Sequence, residues 1–223
     1  MAAERLSKAA VAERALRLGD EEGLEAVTIR RLAQELGVTP MALYWHFKNK
    51  DELLIGICDH ALAEVRADRN AAAPWQQQLR GMVEALLGVL VRHPFLADLF
   101  HSIDKECSDN FLQAEDDALA LLAQAGFDRD EGFWVASHLL YGVIGLRAAQ
   151  PDCPALVPAD RADEWRRQKR LSLESLPADR YPMMVAFGAT YAEQLDTDRY
   201  YAFGVDMLIA GVEAMAARRA AAR

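Results

Sequence analysis

Apolar positions recur at helical intervals along almost the whole chain. Val11, Ala15 and Leu18 share one side of a first segment that begins near Ser7 and ends before Gly23. Ile29, Leu32, Ala33 and Leu36 then form an i, i+3, i+4, i+7 stripe behind Thr28, a good N-cap. Gly37 stands where a helix needs a left-handed residue to stop. Thr39 and Pro40 pair a cap with a proline at the first helical position, where its missing N–H costs nothing, and predict a short helix over 40–47. Leu43 and Phe47, four apart, suffice to hold that helix inward. Asn49, with Glu52 three residues on, caps a fourth helix whose stripe runs through Leu53, Leu54, Ile57, Ala61 and Val65 toward Asn70.

A break near Ala71–Pro74 precedes a long helix from Trp75 to His93, stopped by Pro94. Short helical material follows around Phe95–Phe100, with a break over 104–109. The next helix runs from Phe111 to Ala125 and is closed by Gly126, and another starts at Asp128 or Asp130. Between Pro151 and Pro182, which hold five of the eight prolines, the pattern predicts a long connection with one amphipathic helix. Helices over 181–195 and 198–219 complete an all-α chain. Strand alternation is absent.

Half the residues are apolar and a quarter charged, as expected of a chain able to bury a core. Net charge −9 argues against a general polyanion binder, so contact with nucleic acid requires a local basic patch. Cys58, Cys107 and Cys153 have no metal-type spacing and are expected to be reduced, buried thiols. With no basic-then-apolar leader and no run of eighteen apolar residues, the chain reads as soluble and cytoplasmic, with no membrane partner. No metal or cofactor is expected.

Such a basic patch lies at 28–50, where four Lys/Arg meet one acid, Glu35. Helix, Gly-containing turn and helix is the helix-turn-helix pattern. On its second helix Met41, Ala42, Tyr44, Trp45 and His46 remain after packing is satisfied. Lys48 and Lys50 follow at once. Adjacent aromatics without a packing role beside cations suit phosphate contact and base-edge reading. The competing structural roles are a buried core position for Trp45 and a solvated cap for Lys48.

The run Leu43–Lys50 (LYWHFKNK), with Thr28–Ala33 and Gly37–Val38 before it, resembles the DNA-binding domain of the tetracycline-repressor (TetR) family, and especially the tetracycline repressor's own branch. The close match covers about residues 7–66; the rest agrees in length and layout. The resemblance implies a three-helix DNA-binding domain at 1–50, a shared connecting helix at 51–70, and a larger effector-binding and dimerisation domain at 71–223. It also implies that Arg30 reads a base and that Tyr44, Trp45, His46 and Lys50 contact phosphate or bases. Thr28 and the backbone after it are expected to hold a phosphate. Thr39, Pro40, Met41 and Ala42 depart from the tetracycline repressor's residues. Met41 and Ala42 offer apolar contact to thymine methyls but no bidentate bonds, so the operator should differ.

The last helix spaces Tyr201, Val205, Leu208, Val212 and Met215 by four, three, four and three, with Gly142 and Gly145 on the helix near 130–149. Heptad spacing with small residues permits close approach to a second copy or burial inside one protomer. The resemblance favours a homodimer reading a palindromic double-stranded operator, with half-sites about 34 Å apart. An apolar, aromatic second domain suits a small-molecule effector pocket. Candidate lining residues are Phe95, Phe100, His101, Phe111, Trp134, His138, Tyr141 and Phe187, with Arg66, Trp75 and Met82 behind them; plain core is the competing role for each.

The expected function is a ligand-responsive regulator, by family default a repressor released by its effector. Activation or dependence on a corepressor is the alternative within the family. A helical enzyme without DNA binding is the alternative outside it. Ser137 and His138 are adjacent, so on a helix they cannot face each other as nucleophile and base. His101, Asp104, Glu106 and Cys107 match no established metal spacing and read as a polar loop. No phosphate-binding glycine loop and no HExxH occurs.

Overall fold

Side-chain caps set the frame. The Ser7 hydroxyl accepts from the Ala10 N–H at 3.1 Å and starts α1 (Lys8–Glu22). Thr28 accepts from Arg31 N at 3.2 Å to start α2 (Ile29–Glu35), and Thr39 accepts from Ala42 N at 3.3 Å to start α3 (Pro40–Tyr44). Between them Gly37 has φ +64, the left-handed turn that only glycine takes without strain. Asn49 accepts from Glu52 N at 2.8 Å to start α4 (Lys50–Ala61). Glu52 reaches back to the Lys48 N–H at 2.9 Å, one residue earlier than a reciprocal capping box would place it. This computed structural model describes residues 6–67, 72–149 and 157–222.

The remaining helices are α5 (Trp75–Arg92), α6 (Leu96–Ser102), α7 (Asp109–Gln124), α8 (Arg129–Ala148), α9 (Ala162–Glu174), α10 (Pro182–Gly188) and α11 (Thr197–Ala222). The fold is all-α: N-terminal helices form a helix-turn-helix joined to a larger helical domain. No strand occurs among the described residues. The chain divides into two compact units, residues 1–148 with 205–223, and residues 149–204. The first is centred on fully buried Leu18, Leu32, Leu43, Ile57, Leu90 and Phe100. In the second, Gly188 lets α10 lie on α9: a Cβ there would sit 3.3 Å from Leu173 Cβ and from Glu174 Cγ.

Three expectations need correcting. The fourth helix does not continue to Asn70; α4 ends at Ala61, and a 3-10 turn over Leu62–Glu64 leads to extended Val65. There the Ala67 backbone N–H finds a partner elsewhere, donating to Asp117 Oδ2 at 3.2 Å, and the Arg66 guanidinium donates to the Asn110 carbonyl at 3.0 Å. The helix expected over 181–195 stops at Gly188 and becomes a 3-10 turn over Ala189–Ala192, where the Thr190 hydroxyl donates to the Phe187 carbonyl at 2.7 Å. Of the cysteines, Cys58 is buried and its thiol is pushed up to about 12 by that burial. Cys107 is exposed, because the 3-10 turn Lys105–Cys107 buries none of its residues; Cys153 lies outside the described residues.

α11 is long and apolar enough to cross a membrane by length and composition. It is nevertheless tied into the protein by ions: Arg80 of α5 meets Asp206 at 2.7 Å, and Arg219 pairs with Glu131 of α8.

Candidate nucleic-acid interface and ligand cavity

α3 is fixed from beneath. Leu43 and Phe47 are buried, and the Leu43 carbonyl accepts both the His46 and Phe47 N–H groups at 2.9 Å, so the helix tightens into a turn after Tyr44. Phe47 lies across Gly56 of α4, where a Cβ would fall 2.5 Å from the ring, and the Lys8 ammonium stands 5.7 Å from its centroid. No room for a side chain exists at Gly56. This seat turns the neighbouring residues outward: Met41 is 67% exposed, Tyr44 46% and Trp45 85%. Trp45 is therefore no core residue. Ala42 and His46 are half-buried, and Thr39, Pro40, Lys48 and Lys50 are exposed.

The arginines of α2 divide. Arg31 is held by Glu22 at 2.6 Å and Glu35 at 2.8 Å, and Arg14 of α1 also pairs with Glu35. The Arg14 hydrogen bond, helped by the charges of Arg14 and Arg31, keeps the Glu35 carboxyl below its usual range. Arg30 is exposed and makes no ion pair among the described residues, as is true of Lys50. Lys48 Nζ stands 3.9 Å from Glu52. Arg30, Tyr44, Trp45 and Lys50 thus share a frame and have no internal work to do. The Thr28 hydroxyl is occupied as the cap of α2.

A cavity of about 270 Å³ opens in the first unit among α5, α7, α8 and the irregular segments after α4 and α6. Of the candidate effector residues it collects Met82, Phe111 and Tyr141. It also takes residues that the sequence did not mark as effector contacts. Leu62 and Val65 come from the turn after α4, Lys105 and Glu106 from the 3-10 turn, Glu115 from α7, and Phe133 and Ser137 from α8. Glu115 carried a usable signal: it sits four after Phe111 and three before Ala118, on one helical face. Burial, then the charge of Glu106, raise its carboxyl above the usual range, with Lys105 opposing.

The other candidates lie elsewhere. Arg66 bonds Asn110, and Trp75 opens α5 half-buried. Phe95 packs flat on Gly19 of α1, where a Cβ would meet its ring at 2.5 Å. Phe100 is fully buried in the core. His101 is exposed with its ring 5.7 Å from that of Tyr141, and Trp134 is exposed. His138 is exposed, with Nδ1 2.7 Å from the Trp134 carbonyl; Phe187 stands edge-on to Tyr191 in the second unit. No group of three His, Cys, Asp or Glu able to hold a metal occurs among the described residues.

Along α11, Tyr201, Val205 and Val212 are buried together with Ile209 and Ala216, Leu208 is half-buried, and Met215 is 37% exposed. Leu208 lies against Gly142 of α8, where a Cβ would fall 2.9 Å from Cδ2; Gly145 faces open space. Phe203 and Met207 are the large apolar residues that α11 leaves most exposed.

Comparison with known proteins agrees with this geometry. The family described as bacterial regulatory proteins, tetR family, matches residues 11–57, and that described as tetracyclin repressor-like, C-terminal domain, matches residues 69–216. The class G tetracycline repressor of Vibrio anguillarum is 30% identical over 96% of this chain and 96% of its own. The HTH-type transcriptional repressor DrrR1 of Streptomyces coeruleorubidus is 26% identical over 94% of this chain and 78% of its own. Among solved structures, apo ActR of Streptomyces coelicolor superposes with a TM-score of 0.78 at 28% identity, covering 97% of this chain and 99% of that one. The same protein in complex with actinorhodin gives 0.76 at 28% identity, covering 96% and 99%.

Proposed function

We propose that this chain, which belongs to the tetR family of bacterial regulatory proteins, is a repressor that binds a palindromic operator as a homodimer and is released by a small molecule. The observation that carries the reading is the outward set on α2–α3: Tyr44 and Trp45 exposed beside Lys48, Lys50 and Arg30, on a frame whose other charges are already paired. Phosphate contacts from Lys50 and the aromatics would set register, and Arg30 with Met41 and Ala42 would read bases. Repression is the role of two similar proteins, the class G tetracycline repressor and DrrR1, and the first of these supports a place near the tetracycline repressor's branch.

Residues 1–50 then form the DNA-binding domain, 51–70 the connection and 71–223 the effector and dimer part. Met207 of α11 and Trp134 of α8, both exposed, supply apolar surface for a second copy; that surface and the ion pairs at Asp206 and Arg219 suit a partner helix better than lipid. The cavity beside α7 would take the effector; that ActR forms a complex with actinorhodin supports a small-molecule effector. Bacterial operators lie in the cytoplasm, so the protein would act there. A ligand can release DNA only by binding a non-matching conformation more tightly.

Capture of fragments of the source genome by ligand-free protein tests this. Enrichment of a palindrome beside a few genes is expected. Recovery of non-specific DNA alone, with and without added metabolite extract, would overturn it.

A further inference from the structure

The charged groups of the cavity decide what it can hold. Lys105 comes from the 3-10 turn, but its ammonium already donates to the Phe100 carbonyl at 3.1 Å and lies 5.9 Å from the Tyr141 ring centroid. Glu106, from the same turn, and Glu115, from α7, are the two carboxylates of the lining. Glu115 is half-buried and makes no hydrogen bond or ion pair among the described residues. α5 brings only apolar Met82 and Leu86 to this space, and α8 brings Phe133, Ser137 and Tyr141. The wall is thus apolar and aromatic, with a single ammonium against two carboxylates that make no hydrogen bond or ion pair among the described residues, Glu106 exposed and Glu115 half-buried.

We propose that this cavity takes a small organic cation, an amine or quaternary ammonium on an aromatic body, whose charge is matched by Glu115 and whose apolar part lies among Phe111, Phe133 and Tyr141. The inference deepens the effector part of the proposed function and rests on it. A half-buried carboxylate without a partner is costly to keep ionised, and a bound cation supplies the missing charge. Aromatic faces attract the same cation through their quadrupoles. An anion would meet two carboxylates against the single ammonium of Lys105. A neutral ligand would bury Glu115 without compensation. The volume of about 270 Å³ sits at the lower edge of ligand pockets, which selects a body of one or two fused rings.

Binding also carries a pH signature. The bound cation favours ionised Glu115, so affinity rises with pH through the titration of its raised carboxyl and then levels. The other titratable groups facing it are Glu106 and Lys105 from the turn and Tyr141 from α8, with His101 beside Tyr141.

The test is calorimetric titration of the full chain with (2-naphthylmethyl)trimethylammonium and, as the anionic twin, 2-naphthylacetate. The ammonium should bind at least about tenfold tighter than the acetate, and Glu115→Gln should weaken it by about tenfold while leaving the acetate no weaker. Wild-type affinity for the ammonium should climb with pH through the raised titration of Glu115 and then level while affinity for the acetate does not climb, a contrast that can be read even should the variant not fold. Equal affinity for the two probes, no binding of either, or a flat pH profile would overturn the assignment. Binding to the captured palindrome is measured on the same preparation. Intact operator binding without cation preference removes only the ligand class; absent operator binding removes the regulator reading itself.

Discussion

Asn110 grips Asp59 from two sides. Its backbone N–H donates to Asp59 Oδ1 at 2.8 Å, and its side-chain amide donates to the Asp59 carbonyl at 2.8 Å and to Oδ2 at 3.2 Å. The Ser108 hydroxyl adds a donor to Oδ1 at 2.9 Å. Asp59 lies on α4, which grows out of the helix-turn-helix at Asn49; Asn110 lies in the first turn of α7, which carries Phe111 and Glu115 to the cavity. Any shift of α7 on filling the cavity therefore has a polar handle on α4. Two-state elements joined in this way are how a small displacement reaches a distant site.

Replacing Asn110 with Ala leaves Asp59 short of two donors. Stability should fall by about 1–3 kcal/mol in urea unfolding. Ligand-free operator affinity should hold, while the release produced by a saturating ligand shrinks. A variant as stable and as fully released as the wild type would contradict this coupling.

The two sides of α3 should separate in experiment. Trp45→Ala removes a side chain that is 85% exposed and should alter stability by no more than about 0.5 kcal/mol, yet weaken operator binding. Leu43→Ala empties a fully buried position on the same helix and should cost about 2–5 kcal/mol. Denaturant titration with operator anisotropy distinguishes them. Marked unfolding of the Trp45 variant would place that ring in the core after all.

How far these features were legible in sequence depends on whether their causes are local. The caps at Thr28, Thr39 and Asn49 and the turns at Gly37 and Gly126 act within a few residues, so their spacing announced them. The end of α4 did not announce itself, because the stripe runs on to Val65 and the competing acceptor, Asp117, lies 50 residues away. The outward residues of α3 were readable as what remained once Leu43 and Phe47 had been assigned inward. The cavity was only partly readable. Leu62, Val65, Lys105 and Glu106 reach it from irregular backbone, and Phe95, an attractive pocket residue by composition, is claimed by Gly19. On α11 the periodicity marked an apolar stripe but carried no sign of its partner; Tyr201, Val205 and Val212 prove buried, while Phe203 and Met207 stay exposed.

Glu35 should leave a mark on acid stability. Its carboxyl is held low by the hydrogen bond from Arg14, so its contribution is complete above the unfolded value of about 4.3 and fades as pH falls through the lower folded value. Glu35→Gln should flatten the acid limb of the urea midpoint between about pH 5 and about pH 3. An unchanged limb would show that the pair linking α1 to α2 is without thermodynamic effect.

Lys50 should act through phosphate. Operator affinity should fall linearly with salt on logarithmic axes, and Lys50→Ala should reduce that slope by about one for each phosphate the ammonium neutralises, equally on matched and mismatched sites. Arg30→Ala should instead relax preference at one base position of each half-site, by about 1–3 kcal/mol.

The most direct measurement compares wild-type protein with a Tyr44→Ala, Lys50→Ala double variant on the captured palindrome at fixed moderate salt, with circular dichroism melting run on both. Both side chains are exposed, so the melting curves should coincide while operator affinity drops by about a hundredfold or more. Undiminished affinity in a fully folded variant would contradict the claim that α3 and the turn after it read DNA.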